Sequence, residues 1–398
     1  MITKEENDRL TQTGPGTPCG ELMRRYWLPV ALAEELPESG APLPVDILSE
    51  ELMLFRDEDG RLGLIDRHCC HRATDLTYGR LEDGGVRCLY HGWLFDVNGK
   101  CLDQPGEPEG TGFHEKVFQQ AYATHENNGV IFGYMGPGEP PVFPQYEFLR
   151  APVEKRFTTK VFNGCNFLQS NEGNIDPVHT SYLHRPFNRI QGDDETRDYI
   201  DVRGLNQQAG ELLQDEPRPD LQIDERDFGV RILTSRKAGD GKKFLRVTNF
   251  VMPAFACVGT IKNSDGWIAL WHVPRNDETN WRWEWIFYRD REMDLEYLAK
   301  TRLSETTAER RFIRTQANRY LQDRDAMQTE NYSGIGPHFH MHDAMAIETM
   351  GPIQDRTKEY LGHSDIAIIA ARKMMLDGMK AIEEGRDPPG VIRDPAMK

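Results

Sequence analysis

The sequence predicts an α+β chain in which a small all-β module precedes a larger domain that joins a sheet to a helical C-terminal region. Three observations carry this expectation. Residues 45–65 read "VDIL", "LMLF", the turn "RDEDG" and "LGLI", with apolar and polar positions alternating on either side of a hairpin signal. Between 228 and 290, the segments "FGVRILTSR", "FLRVTNFVM", "WIALWHVP" and "WRWEWIFYRD" have the composition and alternation of strands. The last hundred residues turn to helical spacing: 302–325 sets apolar residues among dense Arg and Glu, and Ser364 is placed to cap a helix running to about Glu384.

Taken in order, residues 1–40 are expected as an N-terminal helical segment, 41–150 as the β module and 151–398 as the larger domain. Inside the module, Asn98-Gly99 in "LFDVNGKC" is a tight-turn signal. The Gly- and Pro-rich stretch "MGPGEPPVFPQYEF" (135–148) marks the end of the module.

The composition narrows the function classes. No apolar run approaches the roughly 18 residues that a membrane span needs, and "MITKEENDRL" lacks the apolar stretch of a secretory signal, so a cytoplasmic protein with reduced cysteines is expected. A net charge of −16 without any Lys/Arg block argues against a nucleic-acid partner. Seven cysteines form no even, dense framework, which leaves metal ligation as a use for some of them; Cys19, Cys101, Cys165 and Cys257 carry no readable signal.

"HCCHRAT" (68–74) holds two histidines and two cysteines, too close together for all four to wrap one metal. The partner with matching chemistry is "CLYHGW" (88–93), separated from His71 by sixteen residues. Pairing Cys69-x-His71 with Cys88-x2-His91 gives two loops, each with one thiolate and one imidazole. A structural zinc site is the alternative, but it ordinarily keeps both cysteines in one pair and both histidines in the other. Mixed pairs suit a two-iron cluster in which Cys69 and Cys88 hold one iron and His71 and His91 hold the other, as in a Rieske [2Fe-2S] centre. The register His68-x-Cys70 would reverse the ligand order of the first loop; otherwise His68 and Cys70 are expected to pack around the cluster.

With these residues in view, "CCHRATDLTYGRLEDGGVRCLYHGWLFDVNGKC" resembles the Rieske domain of ring-hydroxylating oxygenases. The likeness extends from "GPGTPCGELMRRYWLPVALAEELP" to "MGPIQDRTKEYLGHSD", almost the whole chain, and is to the phthalate dioxygenase family, which also holds aryl ether O-demethylases. It implies an N-terminal Rieske domain and a catalytic domain whose antiparallel sheet is surrounded by helices.

A second constellation, "NFLQSNEGNIDPVHTSYLH" (166–184), contains Asp176, His179 and His184. Histidines five apart lie about 140° apart around a regular helix, so aiming both at one metal needs a kink, a bulge or a helix end. A non-haem Fe(II) site that activates O2 takes two His and one carboxylate. The resemblance implies that His179 and His184 are ligands of a mononuclear Fe(II). It makes Asp176 a bridge toward the cluster of a neighbouring subunit, and hence implies a homotrimer or stacked trimers. It places the carboxylate ligand at Asp343 in "HFHMHDAMAIETM", with Asp325 as the competitor; His338, His340 and His342 are expected at the mouth of the site or in solvent.

A nucleotide-binding GxGxxG after a strand and a Cx4Cx2C ferredoxin pattern are both missing from the sequence, so electrons must come from outside. The resemblance implies a terminal oxygenase that uses O2 and a separate NAD(P)H-dependent flavin and iron-sulfur reductase to dihydroxylate, monooxygenate or O-demethylate a small aromatic substrate. Arg231, Arg236 and Arg246 are candidates for anchoring a substrate carboxylate. Phe250, Phe255, Trp267 and Trp271 could form an apolar wall, though aromatics on alternating strands are more often core. Two other classes stay open: a Rieske-type electron carrier, which needs only about a hundred residues, and a zinc-stabilised binding protein, which would be colourless.

Overall fold

The computed structural model describes residues 2–38, 40–185, 187, 216–259 and 265–397. It forms two compact units, one comprising Met1–Gln12 and Tyr146–Gly390, the other Thr13–Gln145 and Val391–Lys398. Among the described residues no helix is long and apolar enough to cross a membrane.

The smaller unit is built on two antiparallel sheets. The first has six strands: β1 (Trp27–Leu32), β2 (Leu43–Ile47), β3 (Glu50–Arg56), β4 (Leu62–Asp66), and, later in the chain, a pair at Ala121–Asn127 and Val130–Tyr134. The second has four short strands, β5 (Arg80–Glu82), β6 (Gly85–Arg87), β7 (Leu94–Asp96) and β8 (Cys101–Asp103), and the later pair of the first sheet is then β9 and β10. The first sheet runs β1-β10-β9-β4-β3-β2 and the second β5-β6-β7-β8. Of residues 1–40, expected as helical, Lys4–Thr11 and Pro18–Met23 are helices, whereas "WLPVAL" is strand β1, buried at every position. A short continuous apolar run does not distinguish a buried strand from a buried helix by periodicity. The Asn98-Gly99 turn forms with Gly99 at φ 78°, and a Cβ there would lie 2.0 Å from the Gln119 carbonyl oxygen, so both the backbone and the neighbour require glycine.

The larger unit is organised by a seven-stranded antiparallel sheet of β11 (Arg156–Asn163), β12 (Asp220–Arg226), β13 (Gly229–Lys237), β14 (Lys243–Val251), β15 (Phe255–Gly259), β16 (Gly266–Asn276) and β17 (Thr279–Tyr288), in the order β11-β17-β16-β15-β14-β13-β12. Successive side chains of a strand point to opposite faces, and cross-strand partners share a face. The register Phe255↔Trp271↔Trp283 therefore stacks aromatics on one face, where Trp283 and Trp285 are wholly buried. The register Thr248↔Val258↔Ile268, with Leu270↔Glu284, makes the other face a mixed polar and aliphatic wall. Phe255 and Trp271 are buried on the aromatic face, Trp267 is half-buried on the same face and Phe250 is completely buried, so the expected aromatic wall is core at all but Trp267.

The helix Phe167–Ile175 lies against this sheet and is tied to the C-terminal helix Ile366–Glu383 through charge. Glu172, buried, accepts from Arg356 at 2.9 Å and Arg372 at 2.6 Å, and Arg372 also pairs with Glu359. Burial alone would raise the Glu172 carboxyl, but the two guanidiniums outweigh it and hold the group below its usual range. Residues 302–325, expected as a helix, are mostly not one. The Leu295–Leu303 helix ends there, the Arg310 carbonyl accepts from the Phe162 amide at 2.9 Å, and Arg319 and Tyr320 adopt φ of 53°. Backbone bonding to β11 overrides a local composition that favours helix. Ser364 does not cap the last helix; it lies in the short 3-10 turn His363–Asp365, closed by the Asp365 carboxylate on the Gly362 amide at 2.7 Å.

Replacing Glu172 with Gln leaves two buried guanidiniums short of a counter-charge. The expected loss in denaturant unfolding is about 3–5 kcal/mol. Because the folded carboxyl is held low, its contribution is present above the unfolded carboxylate pKa and disappears as pH falls through the folded value. The E172Q difference should therefore shrink in acid.

Candidate active site

The two cysteine-histidine loops are built alike. In the first, after β4, the Cys69 amide donates to the Thr74 carbonyl at 2.9 Å and the Ala73 amide returns to the Cys69 carbonyl at 2.8 Å. In the second, between β6 and β7, the Cys88 amide donates to Trp93 at 2.8 Å and the Gly92 amide to Cys88 at 3.0 Å. The residue four beyond each cysteine takes a left-handed backbone, Ala73 at φ 58° and Gly92 at φ 76°. Cys69 and Cys88 are buried in the core of Met53, Phe55, Ile65, Val86 and Phe95, while His71 and His91 stand at the surface with ring centroids 4.5 Å apart. Trp93 stacks on His71 at 4.3 Å.

The loops thus put thiols inside and imidazoles outside. Burial, with the Cys88 thiol alongside, pushes the Cys69 thiol up to about 12. His91 is held below the usual histidine range by desolvation and by the neighbouring His71 and Arg72. Neutral imidazoles opposite paired thiolates are the donor set of a two-iron cluster with unlike irons, and the residues fit that group.

His68 and Cys70 do not pack inside. His68 Nε2 faces Glu51 at 3.1 Å on the surface and Cys70 is exposed. Gln119, which nothing in the sequence singles out, anchors this loop: its amide nitrogen donates to the carbonyls of Asp66 at 3.0 Å and His68 at 2.7 Å, and its oxygen accepts from the Cys70 amide at 2.8 Å.

In the larger unit, Pro177 supplies the break that the five-residue histidine spacing demands. The residue before a proline is driven to extended backbone, and Asp176 closes the helix at ψ 115°. His179 then opens a 3-10 turn, His179–Ser181, which brings His184 round to the same side. Arg236, earlier a candidate for binding a substrate anion, is buried and donates to the Pro177 carbonyl at 3.0 Å, so it holds this loop instead.

His179, His184 and Asp343 each offer one ligand atom within 4.8 Å of the others. Asp343 Oδ1 lies 2.9 Å from His184 Nε2 and 3.8 Å from His179 Nε2. Because His179 Nδ1 is 2.8 Å from the Asp176 carbonyl oxygen, Nδ1 carries the hydrogen and Nε2 presents a lone pair toward the carboxylate. Two imidazoles and one carboxylate with ligand atoms this close together are the donor set of a divalent metal site with open positions, and the residues fit that group. Asp325 lies exposed on a separate turn.

Beside these residues the mixed sheet face forms a cleft lined by Asp176, His179, Arg246, Arg282, Glu284, Arg302, His340 and Asp343, with Val258, Ile268 and Leu270 as its apolar floor. Glu284, on β17, is 3.3 Å from Arg302 and 3.9 Å from Arg282, all three buried. The expected histidine trio divides: His340 reaches the cleft and accepts from Arg302 at 2.6 Å, His338 faces Ser304, and His342 is fully buried against His184. Arg231 is exposed on the far side of its strand.

Family models match both parts of the chain, the Rieske [2Fe-2S] domain over residues 26–122 and the LigXa C-terminal domain like family over 133–397. The phthalate 4,5-dioxygenase oxygenase subunit of Pseudomonas putida is 33% identical, over 98% of this chain and 89% of its own length. The chain belongs to the Rieske non-haem iron oxygenases, in the phthalate dioxygenase family. Other relatives of this Rieske oxygenase are the 5,5'-dehydrodivanillate O-demethylase oxygenase subunit of Sphingobium sp. (strain NBRC 103272 / SYK-6), 32% identical over 100% of this chain and 85% of that one, and the tert-butanol monooxygenase / tert-amyl alcohol desaturase oxygenase subunit of Aquincola tertiaricarbonis, 32% identical over 97% and 78%. The fold is also that of the NdmA QL mutant from Pseudomonas putida CBB5, solved with caffeine (TM-score 0.64, 17% identity, 92% of this chain and 94% of that one). The terminal oxygenase of carbazole 1,9a-dioxygenase from Novosphingobium sp. KA1 shares it as well (TM-score 0.61, 18%, 98% and 96%).

As a Rieske oxygenase the protein is an enzyme that uses a [2Fe-2S] cluster, a mononuclear iron and O2, with electrons supplied by a separate electron-transfer protein.

The matched loops predict opposite responses at equivalent positions. Gly92→Ala adds a Cβ at positive φ, 2.7 Å from Pro105, and should lower iron-sulfur content per chain. Ala73→Gly removes about 1 kcal/mol of left-handed strain and should leave that content unchanged or raised. Iron, sulfide and visible absorbance of the purified variants measure both.

Proposed function

We propose that this Rieske oxygenase hydroxylates an aromatic carboxylate. The observation that carries the reading is the positive wall of the cleft: Arg246, Arg282 and Arg302 face it with Glu284, over an apolar floor beside the three converging donors. Burial lowers the affinity of the Arg302 guanidinium for its proton, a cost that an incoming carboxylate relieves. A flat apolar ring against Ile268 and Leu270, with its carboxylate held by a guanidinium, would present a ring edge toward Asp343. The P. putida relative, named for phthalate, accords with this substrate class.

In this reading His179, His184 and Asp343 hold the Fe(II), while Cys69 and Cys88 hold one iron of the cluster and His71 and His91 the other. The bound groups supply electron transfer and O2 activation; the chain binds and orients substrate and fixes the ligands. Asp176 fixes His179 through its carbonyl, and its carboxylate accepts from the Val178 amide at 2.7 Å. That carboxylate serves as the bridge toward a neighbouring subunit's cluster, in a homotrimer or stacked trimers. The electron donor in this reading is a flavin and iron-sulfur reductase using NAD(P)H, and the proposed location is the cytoplasm.

Two measurements test the reading. His179→Ala should lower substrate turnover by about 100-fold or more, while the dithionite-reduced protein keeps its Rieske EPR signal; a variant that turns over normally removes the mononuclear assignment. Arg246→Ala should raise the Kd of a benzoate-type substrate by about 10- to 100-fold, the worth of a charge-assisted hydrogen bond, and change that of its neutral amide far less. Equal losses for both ligands would show that the arginine does not read charge.

A further inference from the structure

The two nitrogens of the His184 imidazole are taken by consecutive residues of one helix, Phe339–Glu348. Nε2 faces Asp343 Oδ1 at 2.9 Å, and Nδ1 lies 3.2 Å from Nδ1 of His342. The two rings are nearly parallel, 18° apart with centroids separated by 5.3 Å, and the Phe339 ring closes on His184 at 4.4 Å. Nothing in the family reading uses His342, yet it has no exposed surface at all.

Counting hydrogens fixes which nitrogen donates. His342 Nε2 lies 3.0 Å from the Gly336 carbonyl oxygen, which offers only lone pairs, so Nε2 carries the hydrogen. A neutral imidazole protonated there has a bare Nδ1. With both rings neutral, the hydrogen shared by the two Nδ1 atoms belongs to His184, and His184 Nε2 keeps a lone pair aimed at Asp343. Gly336 thus sets the tautomer of His342, and His342 sets that of His184. His179 reaches the same state by a shorter route, its Nδ1 donating directly to the Asp176 carbonyl.

We infer that His342 is a positioning residue for the iron site: its Nδ1 accepts the His184 Nδ1 hydrogen, locking His184 with Nε2 free to bind metal. This rests on the reading that His179, His184 and Asp343 hold the iron. A ligand histidine is ordinarily oriented by an acceptor on its other nitrogen, and losing that acceptor costs about 10- to 100-fold in metal affinity.

The test compares two polar substitutions of similar bulk. In His342→Asn the amide oxygen stands near the old Nδ1 and can still accept from His184, whereas in His342→Gln the amide reaches the old Nε2 position and leaves His184 without its acceptor. Fe(II) affinity of the purified protein is measured anaerobically by competition with a chromophoric chelator, with the reduced Rieske EPR signal as the control for folding. H342N should stay within about 3-fold of the wild type and H342Q should weaken by about 10- to 100-fold. H342Q binding as tightly as the wild type, or H342N as weakly as H342Q, overturns the inference. His179→Ala in the same assay separates the two levels: if it binds Fe(II) like the wild type, the iron site itself is misassigned, and if it loses binding while H342Q does not, only the role of His342 falls. Independently of any variant, 15N shifts of histidine-labelled, zinc-loaded wild type should show His342 protonated at Nε2. The opposite tautomer at His342 overturns the inference.

Discussion

The geometry of the larger unit depends on a single backbone step, Asp176-Pro177. Proline cannot donate the amide that would continue the helix and forces its predecessor out of the helical region, so the Phe167–Ile175 helix stops where Asp176 begins. The same step frees the Asp176 carbonyl from intrahelical bonding, and that carbonyl then takes the His179 Nδ1 hydrogen. Arg236 clamps the Pro177 carbonyl from strand β13. One local break thus terminates a helix, selects a histidine tautomer and turns His184 back toward its partner carboxylate.

The second organising constraint is strand register. Period-two alternation in β14 to β17 sends Trp271, Trp283 and Trp285 to one face and Thr248, Val258, Leu270, Arg282 and Glu284 to the other. A one-residue slip would exchange aromatic core for charged cleft. The bulk of the buried tryptophans therefore does two things at once: it stabilises the sheet and specifies which polar residues face the candidate metal ligands. Buried Glu284 can be tolerated there because Arg302 and Arg282 lie beside it.

How much of this was legible depends on whether the determinants are local. The four residues proposed to hold the cluster lie within two short motifs, and the strands of both sheets announce themselves by alternation, so the fold class and the spacing of the candidate donors could be read from sequence. Asp343 was reached through resemblance, because a partner 159 residues from His184 leaves no local trace. Gln119, Arg282 and Arg302 were missed for the same reason: their roles arise from tertiary placement, and each looks like an ordinary polar residue in its own segment. Arg231, Phe255, Trp267 and Trp271 failed differently, since the correct strands were identified but not the face, while Arg236 lies on the cleft face and is taken by the Pro177 carbonyl. The 302–325 segment shows helix-forming composition yielding to hydrogen bonds with β11.

The way the two units divide the chain has a consequence for how the protein can be recombined with a relative. Residues 1–12 belong with the unit that follows Gln145, where the Thr11 carbonyl accepts from Asn166 at 2.9 Å and the Asn7 side chain accepts from Arg356 at 3.3 Å. The cluster-bearing unit is therefore inserted within the other rather than appended to it, and the chain's last segment returns to it through the Ile392 carbonyl and the Val142 amide at 2.8 Å. A chimera made by a single cut would divide both, so exchange of one half for that of a relative must respect three crossing points rather than one.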